Sequence, residues 1–301
     1  KNFINSLWLD MNKCKQSIGI IGKGFVGTAV QYGFSPNVGC DAEVRVFDIV
    51  PSKSTHTLDQ VVNESDIIFI SVPTPSFADG EIDLKLLDRC LEDIYKVSKD
   101  NNEAVFLIRS TVVPGTTEKL QQKFKNLNLV FNPEFLTERS ANFDFINQSR
   151  VILGGLSKNT NKVASLYRWR FGNSINIIET NYQTAELIKY VTNTFFATKV
   201  SFMNDMSLLS DKVDADWDTV IDGFVSDGRV GHSHLNVPGH DGKYGFGGSC
   251  LPKDIQAIIH FSNSLGLDMS VLKGAWKTNL KVRPEKDWEK LKGRAISNDE
   301  D

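Results

Sequence analysis

The sequence predicts an α/β fold: an N-terminal doubly wound parallel sheet, then an all-helical region with one long bridging helix. Three observations carry that prediction. Short apolar runs alternate with helical stretches from residue 18 to residue 155, the pattern of a parallel sheet covered by helices. A strand signal runs straight into a glycine-rich turn and a helix signal at residues 18–30. From Gln183 to Lys212 neither proline nor glycine interrupts about 30 helix-compatible residues, on the order of 45 Å of helix at 1.5 Å per residue.

The first elements carry the most chemistry. Ile18–Gly19–Ile20–Ile21 reads as a buried strand. Gly22–Lys23–Gly24–Phe25–Val26–Gly27 follows, and a helix continues through Thr28, Ala29 and Val30. Val44–Arg45–Val46–Phe47–Asp48 is a second strand that ends in an acid about twenty residues past the last glycine. Strand, G-x-G-x-x-G, helix, strand and acid in that order form the dinucleotide fingerprint, against a purely structural glycine turn as the alternative. Gly22 permits the tight turn, Gly24 lets backbone approach a pyrophosphate, and Gly27 permits close helix–strand packing. The helix N-terminus faces the phosphates. Asp48 accepts hydrogen bonds from ribose hydroxyls and repels a 2′-phosphate, which favours NAD over NADP. The expected unit is a Rossmann-like NAD-binding domain over residues 1–180.

The remaining elements of that domain follow in order. Ile67–Val72 is a strand closed by Pro73–Thr74–Pro75, and Leu84–Val97 is a helix. Ala104–Arg109 is a strand ending at Ser110–Thr111, and Leu127–Phe131 and Val151–Gly155 are two more. Ligands of such sheets bind outside the carboxyl ends of the strands. Thr74, Ser110, Thr111, Glu134 and Glu138 all fall just beyond strand ends.

Composition narrows the function classes. With 301 residues the chain is long enough for two domains. A formal charge of −3 shows no basic excess that would point to nucleic acid. No apolar run reaches the length of a membrane span. The segment Lys1–Asp10 lacks a secretory apolar region, and Met11 is the expected native start. Cys14, Cys40, Cys90 and Cys250 show neither paired nor metal-ligand spacing. A reduced, cytoplasmic setting is therefore expected, with Cys14, Cys40 and Cys90 as small structural side chains. His232, His234 and His240 cluster in sequence but lack a carboxylate or cysteine to complete a ligand set, so no metal is expected.

The most informative stretch is Gly245–Phe246–Gly247–Gly248–Ser249–Cys250–Leu251–Pro252–Lys253–Asp254. Pro252 suits the first turn of a helix, and Ile255, Ile258, Ile259 and Phe261 recur at helical spacing. Cys250 is therefore expected near a helix N-terminus, where the dipole favours a thiolate. The glycines leave room for a substrate to approach the sulfur. On the long helix, Lys189 and Asn193 are four residues apart and share one face. They form either an ammonium–amide pair for a developing oxyanion or a solvated polar face. Leu187, Val191 and Phe195 are expected to supply the apolar stripe for the core, and Lys199 a surface role.

Together these segments resemble the UDP-glucose/GDP-mannose dehydrogenase family. The matching residues are Gly22–Gly27, Ser71–Pro75, Ser110–Thr117, Asn132–Glu138, Thr184–Tyr190 with Asn193, and Gly245–Asp254. They keep the family's order from about residue 17 to 275. The resemblance implies a four-electron, NAD-dependent oxidation of a nucleotide sugar's C6 alcohol to the carboxylate, through a thiohemiacetal and a thioester on Cys250. It makes Lys189 and Asn193 the oxyanion stabilisers and Glu134 the general base for thioester hydrolysis. Thr111 and Asp254 hold the water, and Asp254 shares in proton transfer. It adds Phe25, Val26, Lys53, Pro73, Thr74, Ser110 and Thr111 to the glycines and Asp48 as cofactor contacts. Phe135, Leu136, Glu138, Gly247 and Lys253 join Glu134, Lys189 and Asn193 as substrate contacts, and Arg229 reaches a neighbouring subunit's substrate. Segment 132–138 looks most like the glucose-processing members, so UDP-glucose is the expected substrate and a homodimer through the long helix the expected assembly.

The sequence also departs from the family. Typical members add a second Rossmann-like domain, but about thirty-four residues follow Leu267 here, and such a domain needs on the order of 100. The expected organisation is thus residues 1–180, a helical central domain over 181–275 with the cysteine, and a short tail over 276–301, loose at its end, with the third domain absent. Two other readings stay open. One is a β-hydroxyacid dehydrogenase of the 6-phosphogluconate type, which performs a single hydride transfer. The other is a catalytically impaired NAD- or sugar-nucleotide-binding protein.

Overall fold

A computed structural model describes residues 16–98 and 103–298. The expectations for Lys1–Asp10, Met11 and Cys14, and for the last three residues, fall outside them. The described residues form two compact units, 16–72, 87–98, 103–110 and 114–185 in the first and 73–86, 111–113 and 186–298 in the second.

The first unit is built on one seven-stranded sheet: β1 Ser17–Ile21, β2 Glu43–Phe47, β3 Ile67–Ile70, β4 Val105–Ile108, β5 Asn128–Phe131, β6 Arg150–Gly155 and β7 Asn176–Thr180. Its order is β2-β1-β3-β4-β5-β6-β7. The chain reverses direction across the sheet between β1 and β3, the switch point at which ligands of this architecture sit. Every residue of β3 and β4 is buried, because central parallel strands are covered on both faces and so read as unbroken apolar runs. Helix α1, Phe25–Gly33, packs on α5, Ala141–Ile146. Phe34 meets both Phe69 and Phe145 at 5.8 Å centroid separations in the main core.

Two features of the sheet depart from the sequence reading. β6 runs antiparallel to β5, so the sheet is mostly rather than wholly parallel. β7 was not legible as a strand. Its residues are exposed or half-buried, so the edge strand lacks the continuous apolar signal of the strands inside.

The second unit is helical. The long helix α7, Tyr182–Lys212, begins in the first unit and supplies most of its length to the second, with α8 Trp217–Val225, α9 Leu251–Ser264 and α10 Ser270–Val282. The stripe expected to face the core does the opposite. Leu187, Val191 and Phe195 are exposed, Phe195 at 61%. The buried face of α7 is made instead of Glu186, Lys189, Tyr190, Asn193, Thr194, Ala197, Ser201 and Asn204. Several of these polar groups find partners on that face; Ser201 Oγ, for example, donates to the Ala275 carbonyl at 2.7 Å, and Asn193 Nδ2 donates to Asp254. The alternative of a solvated Lys189–Asn193 face is thereby excluded.

The expected division at residue 275 falls inside α10. Beyond it the chain stays docked on its own unit. Trp288 is buried, 5.2 Å from the Trp276 ring. Ser76 N donates to the Ala295 carbonyl at 3.0 Å, and Ser297 Oγ donates to Asp83 Oδ2 at 2.6 Å. Among the described residues no helix is long and apolar enough to cross a membrane.

Candidate active site

In the first unit the glycine turn has the geometry that its sequence predicts. Gly22 sits at φ +90°, where a Cβ would strike the Ser71 carbonyl at 2.6 Å, so the ends of β1 and β3 can abut only through glycine. A Cβ at Gly27 would overlap the Gly22 carbonyl, which is the close helix–strand approach the third glycine permits. A Cβ at Gly24 would meet nothing within 4 Å. Gly24 is also the N-cap of α1 and offers no side-chain cap, so the helix N-terminus opens onto free space. That space, bounded by unsatisfied backbone donors, fits a dinucleotide's pyrophosphate. Asp48 follows β2 directly; its Oδ2 accepts from Lys23 N at 2.6 Å and its Oδ1 from Val50 N at 2.8 Å. Both carboxylate oxygens are oriented, and each keeps a lone pair for a hydroxyl donor. Phe25 and Val26 open α1, and Lys53 ends the short turn Pro51–Lys53.

Glu134 lies in the same unit, just past β5, and is buried. Its Oε2 accepts from Leu136 N at 2.7 Å. The strand end before it is fixed by a buried network absent from the sequence reading. Arg109 Nη1 donates to Asn132 Oδ1 at 2.6 Å and to Tyr167 Oη at 3.2 Å, and Tyr167 Oη donates to Asn132 Oδ1 at 2.6 Å. The only hint was a charged residue at the end of an apolar strand. Glu134, Phe135 and Leu136 line an open cleft of about 250 Å³ with Arg109 and Arg150, and the Arg150 guanidinium lies 4.3 Å from the Phe135 ring centroid. Glu138 is exposed at the start of a one-turn helix. Ser110 Oγ donates to the Val72 carbonyl at 2.6 Å.

The second unit holds the cysteine. Cys250 is the N-cap of α9 and half-buried, with Pro252 in the first turn as expected. Ser249 Oγ lies 3.7 Å from its sulfur. One turn on, Asp254 is 1% exposed. Its Oδ2 accepts from Asn193 Nδ2 at 2.5 Å and its Oδ1 from Lys253 Nζ at 2.5 Å. Lys253, expected to meet sugar or phosphate, is thus buried against a carboxylate. Lys189, one turn before Asn193 on α7, is 3% exposed. Thr111 and Thr74 are joined, Thr74 Oγ1 donating to the Thr111 carbonyl at 2.8 Å, and Pro73 beside them is exposed. Arg229 is exposed and paired locally, its Nε 2.9 Å from Asp227 Oδ1.

Two of the remaining cysteines are described and free: Cys40 is buried and Cys90 half-buried. Burial, with the nearby Asp93 carboxylate adding, pushes the Cys90 thiol up to about 12. His234 stacks on Phe196 at 4.1 Å. Asp79, Glu81 and His260 do bring three ligand atoms within 4.8 Å of one another on the surface, a cluster the sequence reading did not identify.

The chain is similar to known proteins in sequence and fold. A family model described as the UDP-glucose/GDP-mannose dehydrogenase family, NAD binding domain, matches residues 50–170, and the central-domain model of the same family matches residues 183–281. The chain is 36% identical to UDP-glucose 6-dehydrogenase of Rickettsia typhi over 89% of its own length and 67% of that protein's. It is 37% identical to the Rickettsia prowazekii protein of the same name over 77% of its own length and 53% of that protein's. The chain spans about half the length of most such curated relatives. The solved structure of a UDP-glucose dehydrogenase from Pyrobaculum islandicum superposes with a TM-score of 0.75 at 26% identity, over 93% of this chain and 71% of that one. Fold, sequence and both domain matches agree, and the chain belongs to the UDP-glucose/GDP-mannose dehydrogenase family.

Proposed function

We propose that this chain carries the NAD-binding and cysteine-bearing parts of a dehydrogenase that oxidises the C6 alcohol of UDP-glucose to the carboxylate, with Cys250 as covalent nucleophile. The observation that carries the reading is Cys250 at the N-terminus of α9, one turn from a buried carboxylate that Asn193 and Lys253 hold in place. A thiol at a helix N-terminus is favoured as thiolate.

Gly22, Gly24, Gly27 and the first turn of α1 hold the pyrophosphate of NAD, Asp48 holds its ribose, and Lys53, Pro73, Thr74 and Ser110 complete the contacts. NAD⁺ supplies a hydride acceptor for each of two oxidations. The alcohol first loses a hydride and a proton to give an aldehyde. The Cys250 thiolate adds to that carbonyl carbon, and the oxygen becomes a thiohemiacetal hydroxyl. Loss of a second hydride and proton leaves a thioester, and water then displaces the sulfur to give the carboxylic acid. Lys189 and Asn193 stabilise the oxyanions. Glu134 takes the proton of the hydrolytic water, and Thr111 and Asp254 position that water. Asp254 acts chiefly by orienting the Asn193 amide and the Lys253 ammonium. Phe135, Leu136, Glu138 and Gly247 shape the substrate site.

A second copy of the chain covers the exposed stripe of α7, and Arg229 reaches that copy's substrate. The apolar side chains along this face support the dimer. Free thiols support a reduced, cytoplasmic setting.

The deciding experiment counts NADH formed per UDP-glucose consumed. Two equivalents, lost in Cys250→Ser, are expected. One equivalent with undiminished turnover in Cys250→Ser points instead to a hydroxyacid-type single oxidation. No NADH from any nucleotide sugar, with NAD still bound, leaves a binding protein.

A further inference from the structure

The glycine loop that leads to Cys250 is gripped from α10 and the turn after it. Arg283, the residue following α10, has a side chain 3% exposed. Its Nε donates to Asp287 Oδ1 at 2.6 Å, its Nη2 to Asp241 Oδ2 at 2.6 Å and its Nη1 to the Tyr244 carbonyl at 3.3 Å. The guanidinium lies flat against the loop: a Cβ at Gly247 would fall on its Cζ and Nε, both 2.6 Å away. The second oxygen of Asp287 accepts from Gly248 N at 3.3 Å. One turn earlier, Asn279 Oδ1 accepts from Phe246 N at 2.7 Å, and its Nδ2 donates to the Phe246 carbonyl at 3.0 Å. Asn204 Oδ1 accepts from Gly245 N at 3.0 Å. Backbone groups of four of the five residues from Tyr244 to Gly248 are thus held by buried or half-buried side chains, and Cys250 begins its helix two residues later.

A glycine-rich run is the least constrained backbone a protein can use. Left alone it would spread the sulfur over several positions, and a displacement of about 1 Å at a reacting group can cost about 10²-fold in rate. A lysine could not replace the arginine here, because only a planar fork meets two carboxylates and a carbonyl at once while lying against a peptide. We infer that Arg283, with Asn279, is a positioning residue that fixes residues 245–248 and through them the place of the Cys250 sulfur at the start of α9. The ionisation of the two acids agrees with this. Burial is the largest single influence and works to raise the Asp241 and Asp287 carboxyls, but the hydrogen bond and charge of Arg283, together with backbone N–H groups of Lys243 and Gly248, outweigh it and hold both below the usual range.

The inference rests on Cys250 being the nucleophile, and the test separates the two claims by reading the thiol itself. In the full chain, the rate at which iodoacetamide alkylates Cys250 is followed by peptide mass spectrometry from pH 6 to 10, with NAD⁺ affinity measured alongside. Arg283→Lys is expected to slow alkylation about tenfold at pH 8, to raise its pH midpoint as the thiol leaves the helix N-terminus, and to lower kcat while NAD⁺ affinity is unchanged. Gly247→Ala is expected to do the same without removing a charge, since the pinned guanidinium cannot yield to the new methyl. If Arg283→Lys does not fold, Gly247→Ala decides alone. Wild-type alkylation rate and midpoint in a folded variant overturn the positioning role even where Cys250→Ser is inactive. Turnover surviving in Cys250→Ser overturns the nucleophile assignment instead, whatever the alkylation shows.

Discussion

Asn193 on the long helix donates its amide to Asp254 on the cysteine helix at 2.5 Å, and the same carboxylate takes the ammonium of Lys253 at 2.5 Å. The acid is 1% exposed and the lysine side chain 8%. Such a buried pair is tolerable only when its hydrogen-bonding groups are satisfied. One amide hydrogen of Asn193 satisfies a lone pair of the acid, and the proposed chemistry assigns the other to a developing oxyanion.

Removing the acid should expose this dependence. Asp254→Ala strands the Lys253 ammonium in a buried site and is expected to cost about 3–5 kcal/mol of stability. Replacing Lys253 by Met and Asp254 by Leu together should cost less than Asp254→Ala alone. Urea unfolding of the three proteins measures both. A loss below about 1 kcal/mol for Asp254→Ala would mean the pair is solvated in solution.

The glycines of the first turn should separate binding from folding. Gly24→Ala places its methyl in open space, so the unfolding free energy should stay within about 1 kcal/mol of wild type. NAD⁺ affinity, by calorimetry, should fall at least about tenfold, or 1.4 kcal/mol, because the methyl occupies the pyrophosphate's approach. Gly27→Ala drives its methyl into the Gly22 carbonyl and should lose about 1–3 kcal/mol of stability itself. Equal effects of the two substitutions on stability would contradict the geometry.

What the sequence revealed and what it hid have physical reasons. The central strands were legible because burial on both faces leaves an unbroken apolar run, as at Ile67–Ile70. The glycine fingerprint and the helix start at Pro252 were legible because backbone geometry restricts which residues fit. β7 was hidden because an exposed edge strand needs no apolar face. The long helix is legible from its uninterrupted composition, but its rotation is not. Apolar spacing points Leu187, Val191 and Phe195 to the core, and only contacts 61 residues apart in the chain, Asn193 to Asp254, show that the polar face is the buried one. The Arg283 grip on the cysteine loop was equally out of reach, since Asp241 and Arg283 are separated by 42 residues.

The acid limb of stability should report that grip. The Asp241 and Asp287 carboxyls lie below their ordinary value of 3.8 in the folded chain. A depressed folded value means the unfolded chain binds protons first as pH falls. The stabilisation is therefore complete above about pH 4–5 and is lost as pH drops through the folded values. Asp241→Asn and Asp287→Asn should each flatten the fall of Tm between about pH 5 and 2 relative to wild type, with the wild type the more stable protein at pH 7. Parallel Tm curves for wild type and both variants would show that these acids are not paired with Arg283 in solution.

The outward face of the long helix makes the last prediction. Leu187, Val191, Phe195, Phe202, Met206 and Leu209 are all exposed, Phe202 at 54% and Leu209 at 52%. Their spacing of three, four or seven residues keeps them on one side of α7. Six exposed apolar side chains on one side of a 31-residue helix are the kind of surface that marks a protein–protein contact. A two-fold partner offering the same stripe is the self-complementary way to cover it. Sedimentation equilibrium of the wild-type chain at micromolar concentration should give the dimer mass. Phe195→Glu with Phe202→Glu places a desolvated charge at each half of the contact and should weaken association at least about 100-fold, or 2.7 kcal/mol, without lowering NAD⁺ affinity in the first unit. A wild-type chain that stays monomeric at 100 μM would leave this stripe bare and remove the ground for an arginine crossing from one copy to the other.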